Sequence, residues 1–401
     1  MPGALDDITV LDLGQVIAMP ICTMLLADMG SRVIKVESRE RGAERMALGI
    51  RRVRNGRTER VHAAQYRERN KLSVTLDLKQ PQGVALFKEL CQKADVLCEN
   101  FSVGAMARLG LAYEDIRQVN PRIIYASITA FGQDGPYARQ RGYDMLSQAI
   151  SGFMSINGFP ENPPTRAGPS ISDYYAGMLT AFSIVSALRY RDRTGKGQYI
   201  DIALLDSILM CLDNLGERYT VGGEILTRAG NVSFAGSATG IYPATDGHVA
   251  VAAAASNAVW GRFCTIIGRP DLTTDPRFAT APARRDRRDE IAAIIAGWTG
   301  QRTKADVVRT LAPAGVPAAP VNTVDEMVAD PQVQAREMFV ETDHPIYGRV
   351  KTTGSPLKMS ETPGRVRTLA PMPGEHNEDV FVGMLGHSRD ELARWHDEGV
   401  I

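Results

Sequence analysis

The chain has 401 residues, enough for a large core and roughly two or three domains. Apolar residues make up 44% and charged residues 23%, and 46 basic side chains balance 46 acidic ones, so no net field favours nucleic acid or an anionic membrane. No apolar run approaches the ~20 residues that cross a bilayer, and the opening Met1-Pro2-Gly3-Ala4-Leu5-Asp6-Asp7 has neither the basic segment nor the apolar core of a signal peptide, so a cytoplasmic protein is expected.

Ile8-Thr9-Val10-Leu11-Asp12-Leu13 is a short β-rich run that ends at Gly14. Pro20 suits a first helical turn. Met24, Leu25 and Met29 give a helical stripe that Gly30 can close in a left-handed conformation. Arg32 to Glu37 is the next strand, and the whole has the length of a βαβ unit. The dinucleotide fingerprint is missing: Gly14-Gln15-Val16-Ile17-Ala18-Met19-Pro20 carries one glycine where three are expected, which argues against nicotinamide binding. A helix start near Pro20 still favours an anionic ligand.

Residues Arg39 to Arg69 are polar and basic, with Arg51, Arg52, Arg54, Arg57 and Arg60 closely spaced. They are expected to form a long excursion loop or a short irregular helix, serving as a solvated surface or as a local attraction for phosphate. The α/β rhythm then returns. A strand runs from near Ser73 to Leu78, a helix from Gly83 to Ala94, and a strand from Asp95 to Glu99. Two short helices lie between Ser102 and Asn120, and a strand spans Arg122 to Thr129. This alternation predicts a mostly parallel sheet covered on both faces. The helix from Tyr174 to Tyr190 carries Met178, Ala181, Phe182, Val185 and Leu188 at helical spacing, a pattern of core packing. Arg193-Thr194-Gly195-Lys196-Gly197-Gln198 turns into the strand Tyr199 to Leu204, and a helix from about Asp206 to Asn214 follows.

From about Gly222 the texture changes. Thr239 to Ala250 reads as a hairpin with an Asp246-Gly247 turn, and several helices follow through Arg309. The expected organisation is a large α/β domain over 1–221, a small α+β domain over 222–328, and a tail over 329–401. That tail closes with a helix from Ser388 to Asp397 and can rejoin the first domain. Cys22, Cys91, Cys98, Cys211 and Cys264 are odd in number and far apart, and the histidines are equally scattered. Buried free thiols and no metal site are expected.

Gly168-Pro169-Ser170-Ile171-Ser172-Asp173 puts one acidic residue at the mouth of the 174–190 helix. Asp173 is either an N-cap, worth about 1 kcal/mol, or a nucleophile for acyl transfer.

The chain resembles the family III CoA-transferases (the CaiB/BaiF, formyl-CoA transferase-like proteins). The resemblance rests on Val10-Leu11-Asp12-Leu13, Ala18-Met19-Pro20, Ala27 to Glu37, Arg69 to Lys79, Glu99 to Met106, Gly132 to Tyr137, Gly168 to Asp206, Gly374-Glu375-His376, Leu385-Gly386 and Gly399-Val400-Ile401. Each motif is weak alone, and the ordered set spans nearly the whole chain. The resemblance implies a doubly wound, Rossmann-like large domain built from both chain ends, an inserted small domain and an interlocked homodimer. It places the nucleophile at Asp173, ionised at neutral pH if its pKa is near ~3.9 and needing no base. It implies CoA contacts from Val16, Ala18, Arg39, Lys71, Asn100, Phe101 and Arg108. The substrates are acyl-CoA and small carboxylic acids, with no permanently bound cofactor.

Two departures refine the expectation. The racemase branch carries a histidine where this chain has Tyr143, and a tyrosine with pKa near ~10 shuttles protons poorly at neutral pH. This favours a transferase, with Tyr143 and Arg141 orienting a substrate carboxylate. The formyl-CoA–oxalate branch has a glycine-rich loop where this chain reads Ala252-Ala253-Ala254-Ala255-Ser256-Asn257. Alanine does not take positive φ as cheaply, so a larger dicarboxylate or hydroxy acid is expected as acceptor, with succinyl-CoA as donor. The alternatives are an acyl-CoA racemase or isomerase, and a CoA-binding protein without turnover.

Overall fold

The structure is a computed structural model that describes residues 3–54, 56–62, 65–231, 239–344 and 346–401. The chain divides into two compact units. Met1–Phe153, Arg166–Glu217 and Pro331–Ile401 form the first; Met154–Thr165 and Arg218–Asp330 form the second.

In the first unit the chain runs β1 (Thr9–Asp12), α1 (Ala18–Asp28), β2 (Arg32–Glu37) and α2 (Arg39–Ala47). The hairpin β3 (Ile50–Arg54) and β4 (Arg57–Val61) comes next. Then follow β5 (Lys71–Thr75), α3 (Pro81–Lys93), β6 (Val96–Glu99), α4 (Ala105–Arg108), α5 (Tyr113–Val119) and β7 (Ile124–Thr129). After α6 (Asp144–Ile150) and α7 (Phe153–Ile156), of which only Phe153 belongs to this unit, α8 (Ile171–Thr194) leads into β8 (Gln198–Ala203) and α9 (Leu204–Leu209). The main sheet has the order β5-β2-β1-β6-β7-β8, and every pairing in it is parallel.

Alternation along the strands sends Leu11, Leu97 and Tyr125 to one face, packed with Leu86, Phe87 and Leu90 of α3 and Ile116 of α5. Val10, Val96, Cys98 and Ala126 go to the other face, against Met19, Cys22 and Leu26 of α1 and Ala176, Ile184 and Leu188 of α8. The strands are apolar on both sides because both are covered. The chain's end returns to the same core: Phe381, Trp395 and Ile401 pack on the α3 face, and the Val400 carbonyl accepts the Asp77 amide at 2.7 Å. The large unit is thus built from both chain ends.

Two expectations need correction. The basic stretch after Arg39 is an ordered helix, a β-hairpin and a 3-10 turn (Tyr66–Glu68), not an irregular excursion. Ser38 caps α2 by accepting the Arg41 amide at 3.2 Å, and Gly56, at φ 72°, makes the hairpin turn. The arginines hid the pattern because the hairpin is largely exposed and its alternation has no buried side to mark. On α8, Ala181 and Leu188 are buried, but Met178, Phe182 and Val185 are exposed, Phe182 to 72%. That stripe faces away from the core it was expected to fill.

The second unit holds β9 (Gly240–Ala244), β10 (Gly247–Val251) and β11 (Ala318–Pro320) as an antiparallel sheet in the order β11-β10-β9. The Asp246-Gly247 turn joins the first two, with Gly247 at φ 142°. Trp260, Phe263, Ile291, Ile295, Val307 and Leu311 build its core. The alanine run serves this unit's own packing: Ala253 and Ala254 are in the core, and Ser256 caps the helix Asn257–Ile266 through the Val259 amide. The units divide after Glu217 and after Asp330, and the second also takes in Met154–Thr165, a segment the sequence reading had left in the large domain. No helix among the described residues is long and apolar enough to cross a membrane.

Candidate active site

In an open parallel sheet, ligands bind beyond the carboxyl ends of the strands, where the strand order reverses. Here that point is β1, with β2 and β5 on one side and β6, β7 and β8 on the other. The loops after β1 and β6 meet there. Asn100 Oδ1 accepts the Gln15 amide at 2.7 Å, and Asn100 Nδ2 donates to the Gln15 carbonyl at 2.9 Å. Asn100 was expected along the coenzyme path. Both ends of its side chain hold the first loop.

Gly14 is required at the turn. A Cβ there would lie 2.7 Å from Asp12 Oδ1 and 2.7 Å from Met19 Cβ. Next to it, Val16 has φ 64° and is 68% exposed. A β-branched residue in the left-handed region is a costly conformation of the kind that concentrates at functional sites. Ala18, buried, begins α1.

Beneath this loop lies a closed charge cluster. Lys71 Nζ is 2.9 Å from Asp12 Oδ2 and 2.9 Å from Glu68 Oε2; Lys35 donates to the Gly14 carbonyl, and Thr23 donates to Asp12 at 2.8 Å. Burial alone would raise the Asp12 carboxyl, but Lys35 and Lys71 outweigh it and hold the group below its ordinary range. Burial would likewise lower Lys71, yet Asp12 and Glu68 raise it. Lys71 was expected to touch phosphate. It is 2% exposed and fully partnered, so in this fold it supports the loop from below. The motif Arg69-Asn70-Lys71 looks like a surface basic patch because the strand that buries it is recognisable only by its neighbours.

α1 and α8 both cover the same face of the sheet, with their N-termini at the carboxyl edge of the strands. Gly177 lets them approach: a Cβ there would sit 2.6 Å from the Ala18 carbonyl. Asp173 stands one turn earlier on the same face of α8. The helix N-cap is Ser170, and Asp173 is in the first turn. Its carboxylate makes no hydrogen bond or ion pair among the described residues. The cap alternative for Asp173 therefore falls.

The Ser172 amide of this helix start is taken by another carboxylate. Asp144 Oδ1 accepts from the Ser172 amide at 2.9 Å and from the Ser172 hydroxyl at 2.6 Å. Gln148 Nε2 donates to Asp144 Oδ2 at 2.6 Å, and Gln148 Oε1 accepts the Ala167 amide at 2.9 Å. The first turn of α6 thus rivets the segment that presents Asp173. No local motif announces this, because the partners are distant in sequence and the bond replaces a local cap.

The half-buried Asp173 is pushed up to about 7, first by burial and then by the Asp144 charge, with Arg67 pulling the other way. The expectation of an ordinary carboxylate near ~3.9 is corrected: ionisation in the free chain takes place around neutrality. Arg67 comes from the 3-10 turn, which is pinned to α8 by a hydrogen bond between the Tyr66 and Tyr174 hydroxyls.

Tyr143 immediately precedes Asp144 and is 71% exposed at the start of α6; Arg141 is exposed beside it. Tyr143 is the N-cap of the helix whose Asp144 is bonded to Ser172, and Arg141 lies two residues before it. Phe101 lines a cavity of about 360 Å³ with Glu99, Tyr113, Tyr125 and Tyr199. The Glu99 carboxyl there is raised to about 7 by burial, although it accepts the Phe101 amide and the Ser127 hydroxyl. Arg108 is exposed at the end of α4. Arg39 lies away from these, in a second cavity of about 180 Å³ with Ser38, Lys79 and the terminal Gly399-Val400-Ile401. Lys79 was missed by sequence reasoning; its signal was the basic end of the Leu76-Asp77-Leu78-Lys79 run.

Comparison with known proteins agrees with this architecture. Residues 5–377 match CoA-transferase family III. A succinyl-CoA–D-citramalate CoA-transferase of Chloroflexus aurantiacus is 37% identical over 400 residues, covering 100% of this chain and 98% of the relative. A succinate–glutarate CoA-transferase of Agrobacterium fabrum is 39% identical over 379 residues, covering 94% of each. The crystal structure of a CaiB/BaiF family protein from Brucella suis superposes with a TM-score of 0.84 at 33% identity, over 96% of this chain and 100% of that one. The parallel sheet assembled from both chain ends, the crevice at its switch point and the full-length likeness to named transferases together establish that this chain belongs to CoA-transferase family III and is a CoA-transferase.

Proposed function

We propose that the enzyme moves CoA from succinyl-CoA to a small dicarboxylic or hydroxydicarboxylic acid through intermediates covalently attached to Asp173. The observation that carries this reading is a carboxylate in the first turn of a long helix, half-buried and free of any hydrogen bond among the described residues. Such a group is poorly solvated and therefore reactive toward an acyl carbon, and the helix start favours negative charge. The Asp173 carboxylate attacks the thioester carbonyl and expels CoA thiolate, leaving a mixed anhydride. The thiolate attacks the aspartyl carbonyl; the donor leaves as a carboxylate and Asp173 becomes a CoA thioester. The acceptor carboxylate attacks that thioester, and the released thiolate then takes the acceptor's acyl group from the second anhydride, restoring Asp173. Acyl activation is conserved throughout, so no nucleotide is consumed.

The succinyl and dicarboxylic preferences are supported by the names of the two relatives above. The loop tied by Gln15 and Asn100, with Val16 and Ala18, borders the coenzyme's path. Phe101 and Arg108 stand on the far side of that loop pair, and Arg39 with Lys79 suits the 3′-phosphate end. Tyr143 and Arg141 suit orientation of the substrate carboxylate. The exposed stripe of Met178, Phe182 and Val185 on α8 supports a homodimer, whose interface would cover it; an interlocked pair buries more than the ~1,600 Å² of a standard interface. The decisive test is incubation with succinyl-CoA followed by hydroxylamine and peptide mass analysis. A hydroxamate at Asp173 is expected, and Asp173→Ala should lose both the adduct and CoA transfer. Normal turnover by that variant would end the proposal.

A further inference from the structure

We propose that Arg67 holds the far carboxylate of a dicarboxylic substrate while its near carboxyl reacts at Asp173, and so selects dicarboxylic over monocarboxylic acids; the inference rests on the function proposed above. The run Tyr66-Arg67-Glu68-Arg69-Asn70-Lys71 contains three cations in alternate positions. Two are consumed inside the fold. Arg69 grips Asp28 with Nε at 2.9 Å and Nη2 at 2.6 Å, and Lys71 sits between Asp12 and Glu68. Arg67 has no ion pair among the described residues. It is half-buried, with its guanidinium 5.5 Å from the centroid of the Tyr66 ring.

Its position is built rather than incidental. The Tyr66 hydroxyl is hydrogen-bonded to that of Tyr174, the residue after Asp173, so the turn that carries Arg67 is fastened to the first turn of α8. The Arg67 charge acts on the Asp173 carboxylate, opposing that of Asp144. When Asp173 is acylated it loses its charge, and the half-buried guanidinium is left without an anion. A succinyl group supplies one at its free end; a butyryl group does not. The planar fork of an arginine matches a carboxylate with two parallel hydrogen bonds, and partial burial strengthens the pair. Arg67 therefore gains its partner at the stage where the dicarboxylic acyl group is covalently held.

The test compares kcat/KM for two substrate pairs, succinyl-CoA with glutarate and butyryl-CoA with propionate. The wild-type enzyme should favour the first pair. Measured at about pH 8.5, where Asp173 is largely ionised, Arg67→Gln should lower kcat/KM for the dicarboxylic pair about 10–100-fold more than for the monocarboxylic pair, the worth of a charge-assisted hydrogen bond; the loss common to both pairs reports the higher Asp173 value once the Arg67 charge is gone. Arg67→Lys keeps the charge without the fork and should lose about tenfold on the dicarboxylic pair only; it serves as the reading if the glutamine variant fails to fold. Equal losses on both pairs, or no loss on either, would overturn the inference while leaving the transferase mechanism intact. A wild-type enzyme that transfers CoA within neither pair would instead remove the proposed substrates, and this inference with them.

Discussion

Replacing Asp173 by asparagine tests whether the reactive carboxyl is held at a cost to the fold. Its ordinary value is 3.8 and its value in the fold is about 7. At about 1.4 kcal/mol for each pH unit that difference amounts to roughly 4 kcal/mol, and the partial exposure of the side chain screens it to about 2–4 kcal/mol. The sign follows from proton binding. Below pH 3.8 the carboxyl is protonated in both the folded and unfolded chain and contributes nothing. Between 3.8 and about 7 the unfolded chain ionises first, so stability falls as pH rises; above 7 the full cost is present. Asparagine has the size of the carboxyl and never ionises. Asp173→Asn is therefore expected to be more stable than wild type by about 2–4 kcal/mol at pH 8.5, and to match it near pH 4. The assay is urea unfolding at several pH values and one protein concentration. In the wild type, kcat/KM should rise about tenfold per pH unit up to neutrality and level off above it. A stability difference that is the same at both ends of the pH range, or a rate that is flat from pH 5 upward, would refute the argument.

The neighbouring residues carry their own expectations. Asp144→Asn should shift the rise in the pH–rate profile toward acid by about one pH unit, because it removes the negative charge beside Asp173, and cost about 1–2 kcal/mol of stability by weakening the hold on Ser172. Lys71→Met should destabilise by about 3–5 kcal/mol in urea, since Asp12 and Glu68 would lose the cation bonded to both and keep only the more distant Lys35; a phosphate-binding role predicts a raised KM for acyl-CoA at unchanged stability instead. Arg39→Ala should weaken binding of CoA about tenfold and of 3′-dephospho-CoA hardly at all, measured by calorimetry, if the cavity it shares with Lys79 takes the phosphate. Phe182→Glu should convert a dimer to monomers in sedimentation, because it places a charge on the exposed α8 stripe.

The strand–helix rhythm and the parallel sheet were legible in the chain, because their signals are local; the return of the C-terminus to the large unit came only from the family resemblance. A buried strand such as Arg32–Glu37 and a capped helix such as Arg389–Asp397, closed by Ser388 and Glu391, each declare themselves within a few residues. The aspartate at the head of α8 was legible too, through an ordered set of motifs. Its condition was not. The sequence could not say that Asp144 would take the Ser172 amide at the start of that helix, that Gln148 would fasten the approach to it, or that Asp173 would stand without a hydrogen bond among the described residues. Nor could it separate Arg67 from Arg69 and Lys71, three cations in one short run, of which the fold buries two against carboxylates and leaves one whose charge acts on Asp173. Local spacing determines which element forms; the charge and reactivity of a side chain depend on burial and on partners far away along the chain, and only the closed tertiary structure brings those to it.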